Sequence, residues 1–276
     1  MKILISADIE GIGTVVRSEH SSVQGREYPQ ARRLMTEEVN AAVRAAFDGG
    51  ADEVIVTDGH NVGLNLIPEA LDERAHLVMG SPRPLCMMEG IDRGIDAACF
   101  IGYHGMAGTR DAGIAHIFHG RVAELRFNGL RVGEIGLNAL LAGCFKVPVV
   151  MVSGDAAACR EARDLLPGIE TAVVKESIGA YAAICLHPTR CREMIHGAVA
   201  KALARLDTFE PFSLEEADKV TMEIRFTTAS SVDRALRLPG SERVGGDTLI
   251  YPAPSYFAAF QAFAAMTDLL ELVPFI

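Results

Sequence analysis

Short apolar runs that end in an acidic residue or a histidine recur along this chain, and helical segments separate them. Three of these runs, with their polar ends, are Lys2 to Ala7 with Asp8, Glu53 to Thr57 with His60, and Ala97 to Ile101 with His104. Between the first two, apolar residues recur every three or four positions, which predicts a helix. Alternating strands and helices are typical of a layered α/β fold with a largely parallel sheet.

Later segments carry different patterns. Asn128-Gly129 stands between two strand-like runs and predicts a hairpin with a type I′ turn. The segment from Ala180 to Leu206 is alanine-rich and is predicted to be mostly helical, with a break at Pro188. Val220 to Phe226 alternates apolar and polar residues, so we expect a half-exposed antiparallel strand at the edge of a sheet.

These patterns predict a three-layer α/β/α fold with a mostly parallel central sheet and an added C-terminal α+β portion. Polar strand ends become scarcer after about residue 155 of the 276 residues. We therefore expect an α/β core over residues 1–155, which carries the polar strand ends. The portion over residues 156–276 is expected to pack on this core without forming an independent domain.

The charge of the chain excludes several classes of partner. Acidic residues number 36 and basic residues 26, so the formal net charge is −10. A protein that wraps nucleic acid or binds anionic membranes needs a basic surface, so neither partner is expected. The first residues do not resemble a signal peptide and no apolar stretch is long enough to span a bilayer. The six cysteines form no CxxC pair, so we predict reduced thiols in a cytoplasmic protein.

The polar strand ends are the first candidates for a functional site, because ligands of open α/β sheets bind beyond the carboxyl ends of the strands. Five residues at or near such positions form a mixed carboxylate and imidazole set: Asp8, Glu10, His60, His104 and Glu134. That mixture suits zinc or a similar transition metal, and five ligands exceed the needs of a single tetrahedral site. Two metals that share a bridging carboxylate would use all five and could activate a water for hydrolysis.

Each of these residues also has a structural interpretation. Asp8 or Glu134 could be a helix cap or a first-turn acid, and a histidine after a strand is more often structural than a ligand. His116 and His119 lie three residues apart, and either could be a general acid or base near a metal pair. Glu37 and Glu38 are predicted to face solvent on the first long helix.

The motifs around these residues resemble those of the D-aminopeptidase family of binuclear zinc metallopeptidases, over essentially the whole chain. The matching segments are Ser6-Ala7-Asp8-Ile9-Glu10-Gly11, Met35-Thr36-Glu37-Glu38, Thr57-Asp58-Gly59-His60, Met88-Glu89-Gly90, Gly102-Tyr103-His104 and Gly133-Glu134-Ile135-Gly136-Leu137-Asn138. They stand in the family's order. One local difference follows His116, where the family tends to carry small hydroxyl residues and this chain has Ile117, Phe118 and His119.

The resemblance implies specific roles for the site residues. Asp8 is similar to the carboxylate that bridges two zinc ions per subunit, with Glu10 and His60 on one ion and His104 and Glu134 on the other. His116 falls where the family places its catalytic histidine. The resemblance further implies the release of N-terminal residues, typically D-amino acids such as D-alanine, from short peptides by attack of a metal-bridging water. It also implies a homo-oligomer, a ring-shaped decamer.

Two other functions use the same residues. A binuclear phosphoesterase needs the same ligand chemistry, and Arg110 lies near His104 in sequence, although no basic cluster accompanies the ligands. A peptide-binding protein of the same fold would have lost the chemistry. The complete ligand set argues against that second alternative.

Overall fold

The computed structural model describes residues 1–216 and 219–271. Its strands are β1 (Lys2–Ala7), β2 (Glu53–Asp58), β3 (His76–Val78), β4 (Ala97–Tyr103), β5 (Val122–Phe127), β6 (Leu130–Arg131), β7 (Val149–Asp155), β8 (Glu170–Gly179), β9 (Ala182–Cys185), β10 (Val220–Phe226), β11 (Glu242–Arg243) and β12 (Thr248–Ala253). Its α-helices are α1 (Ser18–Ser21), α2 (Tyr28–Asp48), α3 (Glu134–Cys144), α4 (Ala156–Leu165), α5 (Pro188–Leu203), α6 (Ala229–Ala235) and α7 (Tyr256–Glu271).

Seven strands form the central sheet, in the order β3-β2-β1-β4-β7-β8-β9. All neighbours are parallel except β9, which runs antiparallel to β8. β1 lies between β2 and β4, with Ile3 opposite Val54 on one side and Ala97 on the other. The carboxyl ends of these three strands therefore lie side by side at one edge of the sheet.

Side chains of the central sheet point alternately into two apolar layers. Ile3 and Ile5 of β1 pack with α2 and α5 on one face, whereas Leu4 belongs to a core on the opposite face. That opposite core also takes buried side chains from α3, α4 and the second sheet. The predicted α/β class with a mostly parallel central sheet is therefore confirmed.

The second sheet is antiparallel and has five strands, in the order β11-β12-β10-β5-β6. The hairpin between β5 and β6 turns at Asn128 and Gly129, whose φ angles are 49° and 83°. Two residues of positive φ are what a type I′ turn requires, so the predicted hairpin is confirmed. Helix α7 packs against β10, β12 and α3 and covers this sheet.

Two predictions about local structure are wrong. Val220–Phe226 is not an edge strand, because β5 and β12 flank it on both sides. The segment from Ala180 to Leu206 is not helical from its start, since Ala182–Cys185 forms β9. Pairing with β8 overrides the helix propensity of alanine there, and α5 begins only at Pro188, where a proline fits the first turn.

Both sheets combine strands from before residue 155 with strands from after it. The central sheet takes β8 and β9 from beyond that position, and the second sheet takes β5 and β6 from before it. The division of the chain at residue 155 stays a prediction. Within residues 1–216 and 219–271, no helix combines the length and the apolar character that crossing a bilayer requires.

The buried hydroxyl of Tyr256 offers a test of how α7 docks on the core. It donates a hydrogen bond of 2.6 Å to the carbonyl oxygen of Leu137 in α3. Tyr256→Phe should lower the free energy of unfolding by about 1–2 kcal/mol, because a buried acceptor loses its partner. Urea denaturation measures this, and Tyr181→Phe is the control, since Tyr181 is 59% exposed. Equal effects of the two substitutions would contradict the assigned bond.

Candidate metal centre

The residues predicted as metal ligands converge where three neighbouring strands end. Asp8 and Glu10 follow β1, His60 follows β2, and His104 follows β4. Glu134 is the first residue of α3, which begins beneath the same edge. Four of these side chains are buried, and His60 is half-buried. Strand order in the sheet explains the convergence, because β2, β1 and β4 are adjacent.

Asp8 lies between the two histidines. Its Oδ1 is 3.4 Å from Nδ1 of His60, and its Oδ2 is 3.5 Å from Nε2 of His104. Nδ1 of His60 is also 3.0 Å from Oε2 of Glu10, and Nε2 of His104 is 3.4 Å from Oε1 of Glu134. One carboxylate oxygen of Asp8 thus faces His60 and Glu10, and the other faces His104 and Glu134.

The orientation of each histidine suits metal binding. Nε2 of His60 lies 2.8 Å from the carbonyl oxygen of Ser21, and Nδ1 of His104 lies 3.0 Å from that of Gly105. A carbonyl oxygen only accepts, so these nitrogens carry the ring protons. When a ring is neutral, its other nitrogen presents a lone pair to the carboxylates, as in metal-bound histidines with a second hydrogen bond, and when the ring is protonated that nitrogen donates to them instead.

Three buried atoms of the cluster make no hydrogen bond within the described part of the chain, namely Oδ2 of Asp8, Oε2 of Glu10 and Nε2 of His104. Burying such atoms without a partner is unfavourable, and a cation among them would remove the cost. The donors within 4.8 Å of one another form two sets, Asp8 with Glu10 and His104, and His104 with His116 and Glu134. Both sets are of the nitrogen and oxygen type that zinc accepts.

Burial and the neighbouring charges shift the pKa values of the three carboxyl groups in different directions. Burial, and then the Glu10 charge, raise the pKa of Asp8 to about 7. Burial would also raise the pKa of Glu10, but the charge and hydrogen bond of His60 hold it well below its usual range. The same opposition lowers the pKa of Glu134, where His104 outweighs burial. The cluster therefore concentrates negative charge that positive partners must balance.

Glycine is required where the loops after β1 and β4 meet. A β-carbon on Gly11 would overlap the carbonyl oxygen of Tyr103. A β-carbon on Gly102, whose φ is +75°, would overlap the carbonyl oxygen of Asp8. These two positions let the backbone that carries Asp8 and Glu10 lie against the backbone that carries His104.

A buried lysine holds the loop after β1. Nζ of Lys175, on β8, donates to the carbonyl oxygens of Glu10, Ile12 and Val15, with 3.0 Å to Ile12. All three N–H donors of the ammonium group thus bind carbonyl oxygens of the loop after β1. Lys175 is only 2% exposed. The position of Glu10 depends on this contact.

Two buried glutamates hold neighbouring loops. Glu38 is not at the surface as predicted, because it is 3% exposed and accepts a 3.0 Å hydrogen bond from the amide of Gly13. Glu161 on α4 accepts a 3.0 Å hydrogen bond from the amide of Met106, two residues beyond His104. Burial raises the pKa of each to about 7. Sequence analysis missed Glu161, because nothing near it in the chain marks it as buried.

His116 lies beside His104 and Glu134. Its ring stacks on that of His104 with centroids 4.3 Å apart, and its Nε2 is 3.7 Å from Oε1 of Glu134. Nδ1 of His116 lies 2.8 Å from the carbonyl oxygen of Ile114. Ile114 and Phe118 have φ angles of 51° and 54°, which is unfavourable for such side chains and is typical of functional loops. The amide of Phe118 donates to Oε1 of Glu134 at 2.8 Å.

A cavity of about 300 Å³ opens over the cluster. Its lining includes Asp8, His60, Arg83, Cys86, Met87, His116, Phe118, His119, Glu134, Ala264, Thr267 and Asp268. Arg83 was missed by sequence analysis, since it follows β3 and stands far from the ligands in the chain. Arg110 does not line this cavity; its side chain is 94% exposed and pairs with Asp111.

Comparisons with known proteins agree with this architecture. A family model described as Peptidase_M55, D-aminopeptidase, matches residues 1–265. A D-aminopeptidase of Bacillus subtilis (strain 168) is 36% identical over 270 residues, which are 98% of this chain and 97% of that protein. The solved structure of the Zn-dependent D-aminopeptidase DppA from Bacillus subtilis, a self-compartmentalizing protease, superposes with a TM-score of 0.96. It is 35% identical, and the match covers 100% of both chains.

Lys175 provides a test of how the ligand loop is held. Lys175→Met keeps the aliphatic stem but removes three hydrogen bonds. Among the described residues, only the carbonyl of Ile12 then has another donor, the amide of Val15, so we expect a loss of about 3 kcal/mol in unfolding free energy. Urea denaturation of the metal-free protein measures it. Lys201→Met, an exposed lysine on α5, is the matched control and should change stability by less than about 0.5 kcal/mol. A stable Lys175→Met variant would contradict the role of this ammonium group.

Proposed function

Because the chain belongs to the M55 family of peptidases, the D-aminopeptidases, we propose that it is a binuclear zinc aminopeptidase. It releases N-terminal residues, D-amino acids such as D-alanine, from short peptides. The observation that carries this proposal is the position of Asp8, with one carboxylate oxygen toward His60 and the other toward His104.

The ligand roles follow from which donors face each other. Asp8 would be shared by the two ions, Glu10 and His60 would hold one, and His104 and Glu134 would hold the other. Three carboxylates and two neutral imidazoles carry a formal charge of about −3, which favours cations at this site; one divalent ion would leave about −1 and two would leave about +1. When bound, zinc supplies Lewis acidity and lowers the pKa of water at the site.

His116 is the residue positioned to handle a proton. Because the carbonyl of Ile114 accepts from its Nδ1 at 2.8 Å, the neutral ring presents a lone pair at Nε2, and the protonated ring presents an N–H there. Nε2 can therefore donate to the oxyanion that develops on the scissile carbonyl, or pass a proton to the leaving amine. The contact with the carbonyl of Ile114 and the stacking on His104 keep the ring in place.

The cavity supports short substrates. A volume of about 300 Å³ is at the low end of small-ligand pockets, which run from about 300 to 1,000 Å³. Phe118 and His119, which stand where the family tends to carry small hydroxyl residues, both line it. Phe118 packs edge-on against Phe263 of α7, with centroids 5.4 Å apart. These bulky side chains shape the substrate preference of this member.

We further propose that the protein is a cytoplasmic homo-oligomer, a decamer. The related structure is described as a self-compartmentalizing protease, which requires several subunits around a chamber. The hairpin of β8 and β9 at the sheet edge exposes Ile178, Tyr181 and Ile184, by 66%, 59% and 64%. An exposed apolar sheet edge is a surface that a second copy can cover.

Metal content and hydrolysis test the proposed function together. We expect about two zinc ions per chain, and cleavage of D-alanyl p-nitroanilide that stops after chelation and returns with zinc. The L-alanyl p-nitroanilide should react more slowly. Hydrolysis of p-nitrophenyl phosphate without hydrolysis of either anilide would make the protein a phosphoesterase. Absence of metal binding after zinc addition would contradict the whole proposal.

Replacement of His116 separates catalysis from metal binding. His116→Ala should lower kcat by about 10²–10⁴-fold, the usual contribution of a positioned acid or base, while both zinc ions stay bound. Measurement of kcat together with zinc content checks both parts. His76→Ala, at an exposed histidine of β3, is the control and should leave both values unchanged. Loss of one zinc ion in His116→Ala would instead make His116 a ligand.

A further inference from the structure

Arg83 carries the one permanent positive charge among the described residues that line the cavity over the metal centre. It follows β3, on a loop that lies beside the loop of His60. Its Nη2 donates a 2.7 Å hydrogen bond to the carbonyl oxygen of Asp58, the last residue of β2. That contact ties the guanidinium group to the wall of the cavity.

Among the described residues, no carboxylate forms an ion pair with this charge, although Asp58 and Glu89 act on it at longer range. Within residues 1–216 and 219–271, no Asp or Glu oxygen lies within 4 Å of Arg83, and its buried Nε and Nη1 have no hydrogen-bond acceptor. The nearby carboxylate of Asp58 is already engaged, because it accepts from the amides of Asn65 and Leu66 and from the side chain of Asn65. Burying a guanidinium group whose N–H donors have no acceptor costs free energy, and a bound anion would remove this cost.

We propose that Arg83 binds the C-terminal carboxylate of the peptide substrate. This inference rests on the proposed aminopeptidase function. A guanidinium presents its donors as a planar fork that matches a carboxylate, so it is well suited to this group. In a peptide of two or three residues, the N-terminal residue at the metal centre and the free carboxylate fit within the same cavity of about 300 Å³.

An arginine that binds the terminal carboxylate would make the enzyme selective for substrate length. A dipeptide extends about 7 Å, and each further residue moves the carboxylate about 3.5 Å farther from the scissile bond. Arg83 is hydrogen-bonded to the carbonyl of Asp58, so its position limits which peptide lengths bring the carboxylate to it. Peptides of the matching length gain the ion pair, whereas amidated peptides do not.

The test compares two substrates that differ only in the terminal group, D-alanyl-D-alanine and D-alanyl-D-alanine amide. The wild-type enzyme should show a kcat/KM about 10- to 100-fold higher for the free acid, the range for a hydrogen bond to a charged group. Arg83→Met should remove this preference, because it lowers kcat/KM for the free acid about 10- to 100-fold more than kcat/KM for the amide. Arg83→Lys should retain part of the preference, because the charge remains. Arg110→Met, at the exposed arginine, is the control and should leave both substrates unchanged.

The outcomes separate this inference from the proposed function. A wild-type enzyme that cleaves neither of these substrates nor the anilides would contradict the aminopeptidase proposal. A wild-type enzyme that cleaves acid and amide equally well would overturn the role of Arg83 alone. Equal loss on both substrates in Arg83→Met, with two zinc ions still bound, would also overturn it and show that Arg83 only supports the loop of Asp58. Should Arg83→Met not fold, the wild-type ratio and Arg83→Lys decide the matter.

Discussion

Three buried carboxylates that face one another cost the folded protein free energy unless positive charge lies among them. Asp8, Glu10 and Glu134 are in this position, and the imidazoles of His60 and His104 relieve it only in part. The surrounding fold holds these three carboxylates close together. The glycines at 11 and 102 let two loops meet, and Lys175 fixes the backbone of one of them. A pair of divalent ions completes this arrangement in the proposed enzyme.

Much of the centre was predictable, because parallel strands bring their carboxyl ends to one edge. Asp8, His60 and His104 each follow a short apolar run, and that pattern made them candidates for one site, although spacing alone does not show that they converge. The family was predictable as well, since its motifs are contiguous segments in a fixed order. Both predictions depend on local sequence and on a general rule of sheet topology.

The residues that support the centre could not be predicted in the same way. Lys175 stands in a strand whose local pattern does not distinguish a buried lysine, and its acceptors lie some 160 residues earlier in the chain. Glu38 was placed at the surface because a charged helix residue usually lies there. Arg83 enters the cavity through the loop after β3, which has no periodicity to interpret. Local patterns also do not show which strands pair, so they could not predict that β9 pairs with β8 or that β10 lies between β5 and β12.

The route of the chain through the second sheet affects when the centre can form. Glu134 directly follows the hairpin of β5 and β6, and the neighbour of β5 is β10, which begins at Val220. Lys175 likewise arrives on β8, long after Glu10 has been made. During synthesis, a nascent chain that has just produced all its candidate ligands still lacks the strand and the ammonium group that hold them. Because these contacts come from strands as late in the chain as β10, we expect peptide hydrolysis only after β10 has been synthesised.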